Sequence, residues 1–149
     1  MTQDGHVVLW HDWDPDERVA YARQAGGELD VRCRPVAPPD GDPLRRTVDR
    51  LTLSELRAHY GYAEIDARET LRVHIPILEE VVAWAAAQGE RLKGVYVDLK
   101  IPPARLDLVE PFVAHLRAAL GRERPHATFV VGTLFREVLL EVRRLAPEL

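Results

Sequence analysis

From residue 52 to the end of the chain, short apolar runs alternate with stretches whose apolar residues recur every three or four positions, joined by brief links. In "IPILEEVVAWAAAQG", Ile77, Leu78, Val81, Val82 and Ala85 share one helical face, Pro76 stands at the start and Gly89 at the stop. "LKGVYVDLK" follows as a strand that finishes on charges. A helix around "LDLVEPFVAHLRAALG" comes next, with Pro111 near its start requiring a local adjustment. "ATFVVGT" is a further apolar strand, and "LFREVLLEVRRLA" a further helix before Pro147. Strands that are apolar on both sides and separated by amphipathic helices predict parallel βαβ units buried on both faces. The fold class expected is α/β, and 149 residues amount to one domain.

The first third is less regular. "HVVLW" (6–10) reads as a strand after the turn signal "QDG". "DPDERVAYARQAGG" predicts a short helix with Asp14 as N-cap, Pro15 in its first turn and Gly26-Gly27 as its stop. "RPVAPPDGDPLRR" holds four of the eleven prolines, which predicts an irregular, exposed loop within an insertion spanning about residues 13–50. "TLSELRAHYG" predicts a helix capped by Thr52, with Glu55 completing a capping box.

Composition narrows the partners. A net charge of -4 gives no basic footprint for nucleic acid. Cys33 is the lone cysteine, so an intramolecular disulfide and a cysteine zinc cluster are both excluded, which suits a reducing compartment. No run reaches the length of a membrane span, and "MTQDGHVVLW" lacks the features of a signal peptide. A cytoplasmic location is the expectation.

An open nucleotide-binding sheet should show a glycine-rich turn from strand to helix. The turns "HDWDPD", "LKIPPA" and "VGTLF" do not qualify. A (β/α)8 barrel instead carries its functional groups at the carboxyl ends of strands, where His11, Asp98 and Lys100 fall. A whole barrel takes about 250 residues, so the expected architecture is a partial one.

The order of motifs resembles the glycerophosphodiester phosphodiesterase family. "TQDGHVVLWHD" (2–12), "TLSELR" (52–57), "IPILEEV" (75–81) and "VYVDLK" (95–100) appear in that family's sequence order, and "FVVGTLFREVLLEVRRLAPEL" is similar to its next strand and helix. The resemblance covers nearly the whole chain except residues 13–45. It implies a metal-dependent TIM-barrel hydrolase that cuts a glycerophosphodiester, such as glycerophosphocholine, into glycerol 3-phosphate and an alcohol. It also implies His11 as the second of two acid–base histidines, Asp98 as the third metal-binding carboxylate and Lys100 as the lysine that approaches the phosphate. Imidazole suits proton exchange near neutrality, and Mg²⁺ or Ca²⁺ suits oxygen ligands. Asp98 and Lys100 are two apart on a strand, so they point to one face.

The chain also departs from that layout. The family's "H-R-G" strand, "P-E-N-T" helix and Glu-x-Asp metal strand precede the T-x-D-G run, and three more strands follow the region of Pro147. Neither part has a counterpart here, so the expectation is the middle of a barrel, inactive alone. Asp98 replaces a glutamate and shortens the reach to a metal. "GGELDVR" (26–32) looks like the Glu-x-Asp strand but lies on the wrong side of the His-Asp strand, which leaves Glu28 and Asp30 as solvated residues.

Plainer readings stand beside these. His11 can be a strand-terminal histidine bonded to backbone, and Asp12 either its orienter or a cap. Asp98 and Lys100 can be a local ion pair of little energetic weight. Trp10 and Trp13 suit packing better than a headgroup wall. The other histidines lie at spacings that make no metal pair. The rival function is a non-catalytic α/β binding or assembly module, and a cut barrel's open sheet edges offer a route to self-association.

Overall fold

The computed structural model describes residues 1–10, 33–64 and 72–149. The predicted helix at 14–25, His11, Asp12, Trp13, Glu28 and Asp30 all lie outside the described residues. The chain divides into two compact units, Met1–Ile75 and Pro76–Leu149.

The first unit is built around an antiparallel sheet of β1 (Cys33–Val36), β2 (Gly61–Glu64) and β3 (Arg72–Val73), in that order. Helix α1 (Leu53–His59) precedes β2. The sheet corrects one expectation, since the proline-rich stretch is not wholly irregular, and its antiparallel strands are ones the apolar pattern does not announce. Pro35 pairs with Tyr62 in β1, at the sheet's edge. An edge strand tolerates a residue without an N–H because its outer side needs no ladder bond. The run at 6–10 is corrected as well: Val8 alone forms a bridge, and no ladder extends along the segment. The preceding residues spend their polar groups locally. Thr2 N–H donates to the His6 carbonyl at 2.8 Å, and His6 N–H donates to Thr2 Oγ1 at 2.9 Å. Gly5 supplies the positive φ of 87° that this turn needs.

That turn presents Asp4 to the start of α1. The Asp4 carboxylate accepts the Leu53 N–H at 3.0 and 3.2 Å. Thr52 and Glu55 form the predicted capping box, with Glu55 Oε2 accepting the Thr52 N–H at 2.9 Å and Thr52 Oγ1 accepting the Glu55 N–H at 3.2 Å. Desolvation raises the Asp4 pKa, but hydrogen bonds from Thr2 and the Leu53 N–H outweigh it and hold the group below its ordinary value. Below this clamp, Leu51, Leu56, Tyr60 and Ile75 form a fully buried cluster, with Val8, Trp10 and Ala37 packed against it. Tyr60 is wholly buried and still satisfied: its hydroxyl donates to the Leu44 carbonyl at 2.7 Å and accepts the Arg46 N–H at 3.2 Å.

The second unit is the βα alternation read from periodicity. Helix α2 (Leu78–Ala87), strand β4 (Gly94–Asp98), helix α3 (Val109–Glu123), strand β5 (Thr128–Gly132) and helix α4 (Arg136–Leu145) follow one another. β4 and β5 pair in parallel, Gly94 against Thr128 through Asp98 against Gly132. Glu80 Oε2 accepts the Ile77 N–H at 2.9 Å where α2 begins. Gly89, with φ of 56°, turns the chain away after α2. α3 begins at Val109, so Pro111 is its third residue, among the first four N–H groups that have no partner within the helix, and no kink is needed. α3 runs to Glu123, two residues past Gly121, and is capped by Arg124, which itself takes the left-handed conformation.

Apolar stripes join this unit. Leu78, Val82 and Ala85 of α2, Phe112, Leu116 and Ala119 of α3, and Val138 and Val142 of α4 are buried. His115 Nδ1 of α3 and Glu79 Oε1 of α2 lie 2.8 Å apart between the two helices. On the sheet, Phe129 and Val131 are buried whereas Thr128 and Val130 are exposed; Val95 and Val97 are half-buried whereas Gly94, Tyr96 and Asp98 are exposed. The strands are therefore covered on one face, which corrects the expectation of burial on both.

Candidate functional site

The uncovered face of β4 and β5 carries the chemistry-bearing residues. Alternation along β4 sends Gly94, Tyr96 and Asp98 outward and Val95 and Val97 toward the packed side. The Leu99 N–H donates to the Gly132 carbonyl at 2.7 Å, which continues the strand's course by one residue past Asp98. Lys100 thereby returns to the side of Asp98. Its Nζ lies 2.8 Å from Asp98 Oδ2, with the Asp98 side chain 49% and the Lys100 side chain 27% exposed. The two sequence-predicted residues thus stand together at the carboxyl end of β4, where α/β folds place functional groups. As an exposed pair they contribute little to stability, about 1 kcal/mol or less. His11, the third predicted residue, lies outside the described residues.

An anion that reached this end of β4 would meet the Lys100 ammonium, and a cation would meet the Asp98 carboxylate. Ca²⁺ takes about six to eight oxygens, and Mg²⁺ about six, of which one or two are commonly protein carboxylates and the rest water or phosphate. Among the described residues no cluster of three or more histidine, cysteine, aspartate or glutamate side chains is able to hold a metal. Asp98 brings one carboxylate, and Lys100 already occupies one of its oxygens. The described donors alone do not make a metal site.

Tyr96 lies on the same outward face, two residues before Asp98, and is 71% exposed. Its ring leans across β5 onto Gly132; a Cβ built on Gly132 would fall on the Tyr96 hydroxyl and Cζ. Neither residue stands out in the sequence by motif or composition. The period-two alternation that joined Asp98 to Lys100 extends one step back to Tyr96 and was the available signal. Gly132 had no such signal, because its partner is set by the register between two strands.

No protein-family model matches the chain, and no curated protein matches it by sequence. A solved structure does. The crystal structure of a "Putative glycerophosphoryl diester phosphodiesterase" from Silicibacter pomeroyi DSS-3 is similar to this chain with a TM-score of 0.66 and 24% sequence identity, over 100% of this chain and 50% of that one. The chain therefore spans half the length of that relative. The likeness shows the fold.

Proposed function

We propose that this chain contributes part of the active surface of a glycerophosphodiester phosphodiesterase-like hydrolase, arranged as part of a (β/α)8 barrel. The observation that carries the reading is the Asp98–Lys100 pair at the carboxyl end of a parallel strand, on an open face, in a fold shared with the Silicibacter pomeroyi protein. In this reading Lys100 offsets charge on a phosphate oxygen. His11 exchanges a proton with the attacking or departing oxygen, a task suited to an imidazole with an ordinary pKa of about 6.5. Asp98 would be one ligand of the divalent cation that the motif resemblance implies, Mg²⁺ or Ca²⁺, which would offset charge on the phosphate when bound.

Residues 1–149 alone are expected to show no hydrolysis of glycerophosphocholine above the buffer rate, with or without Mg²⁺ or Ca²⁺, because groups that act as a unit lose most of the rate when members are missing. A chimera that takes the rest of the fold from the Silicibacter pomeroyi protein should hydrolyse it. Its rate should fall by about 100-fold or more in His11→Ala and Asp98→Ala. Undiminished turnover in both variants would remove the reading. A chimera that melts cooperatively and has no activity would also count against it.

A second reading, a non-catalytic assembly module, draws support from the same open face, where Tyr96 is 71% and Val130 46% exposed. It predicts a defined oligomer of the 149-residue chain by light scattering, and a monodisperse monomer would oppose it.

A further inference from the structure

We propose that Tyr96 is a substrate-contacting residue of this site, its hydroxyl donating a hydrogen bond to a phosphate oxygen of the glycerophosphodiester, and that Gly132 is what puts it there. The inference rests on the function proposed above and adds a group for which the motif resemblance supplied no role.

The argument begins with register. Tyr96 pairs with Val130, and Asp98 pairs with Gly132, one same-face rung further toward the carboxyl end of the strands. Two residues of strand advance about 7 Å, which is about the reach of a tyrosine side chain. The Tyr96 ring uses that reach. It leaves its own rung and lies over Gly132, with its hydroxyl end where a β-carbon would otherwise stand. The phenol oxygen is therefore delivered to the level of Asp98, on the face that Asp98 and Lys100 share.

Three further facts support a ligand contact. The residue is 71% exposed, so the side chain stands largely open to an incoming ligand. It has no hydrogen-bond partner among the described residues, which leaves its proton available to an incoming acceptor. Lys100, on the same face and paired with Asp98, is 27% exposed and brings a positive charge that attracts the same anion. Covering a strand glycine with an aromatic ring also steadies strand pairing. Phenylalanine would do that equally well, so the hydroxyl is the part that structure alone does not require.

The test titrates the 149-residue chain with sn-glycero-3-phosphocholine and separately with choline chloride, following amide shifts by NMR. Glycerophosphocholine should bind, and Lys100→Ala should weaken it severely. Tyr96→Phe should weaken it about ten-fold, the loss expected for one hydrogen bond to a charged acceptor, with an unchanged melting temperature. Any response to choline chloride, which lacks the phosphate, should be the same in wild type and Tyr96→Phe. Gly132→Ala should weaken binding at least as much as Tyr96→Phe, because its methyl group displaces the ring. Placed on Tyr96→Ala, it should add nothing, as expected if it acts through the ring alone. Equal affinity of wild type and Tyr96→Phe, with Lys100→Ala still impaired, would overturn the role of Tyr96 and leave the site standing. No binding by the wild-type chain would overturn the site itself and this inference with it.

Discussion

The two compact units solve the same problem, holding short elements together, by different means. In Met1–Ile75, side chains reach across the sequence to catch backbone groups. Asp4 holds the Leu53 N–H, Tyr60 bridges the Leu44 carbonyl and the Arg46 N–H, and Arg57 Nε donates to the Ile75 carbonyl at 3.1 Å. In Pro76–Leu149, helices lay continuous apolar stripes on one another and on one face of a parallel strand pair. A buried stripe distributes stability over many contacts. A backbone group caught by one side chain concentrates it in a single hydrogen bond. The contrast also bears on where function can sit, because the residues of the proposed site, Asp98 and Lys100, stand on the face that the stripes leave uncovered.

The largest effect should come from the stripes. Phe112→Ala, at a fully packed position of α3, should cost about 3–5 kcal/mol in urea denaturation. A loss below about 1 kcal/mol would mean that the second unit does not depend on packing in the way described.

Next in size is Tyr60→Phe. The ring stays in place, while the Leu44 carbonyl and the Arg46 N–H lose their partner, for about 1–3 kcal/mol. If the variant melts with the wild type, the buried hydroxyl is not what organises the segment from Leu44 to Tyr60. Adding Phe112→Ala to it should give the sum of the two losses, since the residues share no partner.

The clamp at α1 should matter less. Thr52→Ala should cost about 1 kcal/mol, read from the same titrations. Hydrogen bonds from the Thr52 backbone and side chain hold the Glu55 carboxyl below its ordinary value of 4.5, and Asp4 likewise lies below 3.8. A carboxylate depressed in the folded state binds its proton less readily there than in the unfolded chain. The clamp's contribution is therefore complete above those ordinary values and is lost as pH falls through the lower folded ones. Amide exchange at Leu53 and Glu55 should accelerate below about pH 4, measured relative to the intrinsic rate. In Asp4→Asn with Glu55→Gln that acid dependence should disappear; its persistence would assign the acid sensitivity to other groups.

The smallest effect should be at the proposed site. Asp98→Asn removes an exposed ion pair and should change stability by less than about 0.5 kcal/mol. A loss of several kcal/mol would make the pair a structural element and undercut its reading as a site.

Much of this protein was decided locally, and those parts were legible in the sequence. The Thr52–Glu55 box, the turn at Gly89 and the apolar periodicity of α2, α3 and α4 depend on residues three or four apart, so sequence spacing states them directly. Asp98 and Lys100 were placed on one face by the same kind of short-range rule, the alternation of a strand. What the tertiary structure decided is non-local. Nothing near Cys33–Val36 announces that it will pair antiparallel with Gly61–Glu64, because a strand's partner is chosen by a distant segment that satisfies its backbone. An apolar run at 6–10 looked like a strand, yet Thr2 and His6 close on each other before it and only Val8 bridges. Apolar strands likewise could not reveal that one face of β4 and β5 would be left open. Tyr96 met Gly132 through the register of two strands that lie about thirty residues apart in the chain, a coincidence in space that a one-dimensional pattern does not contain.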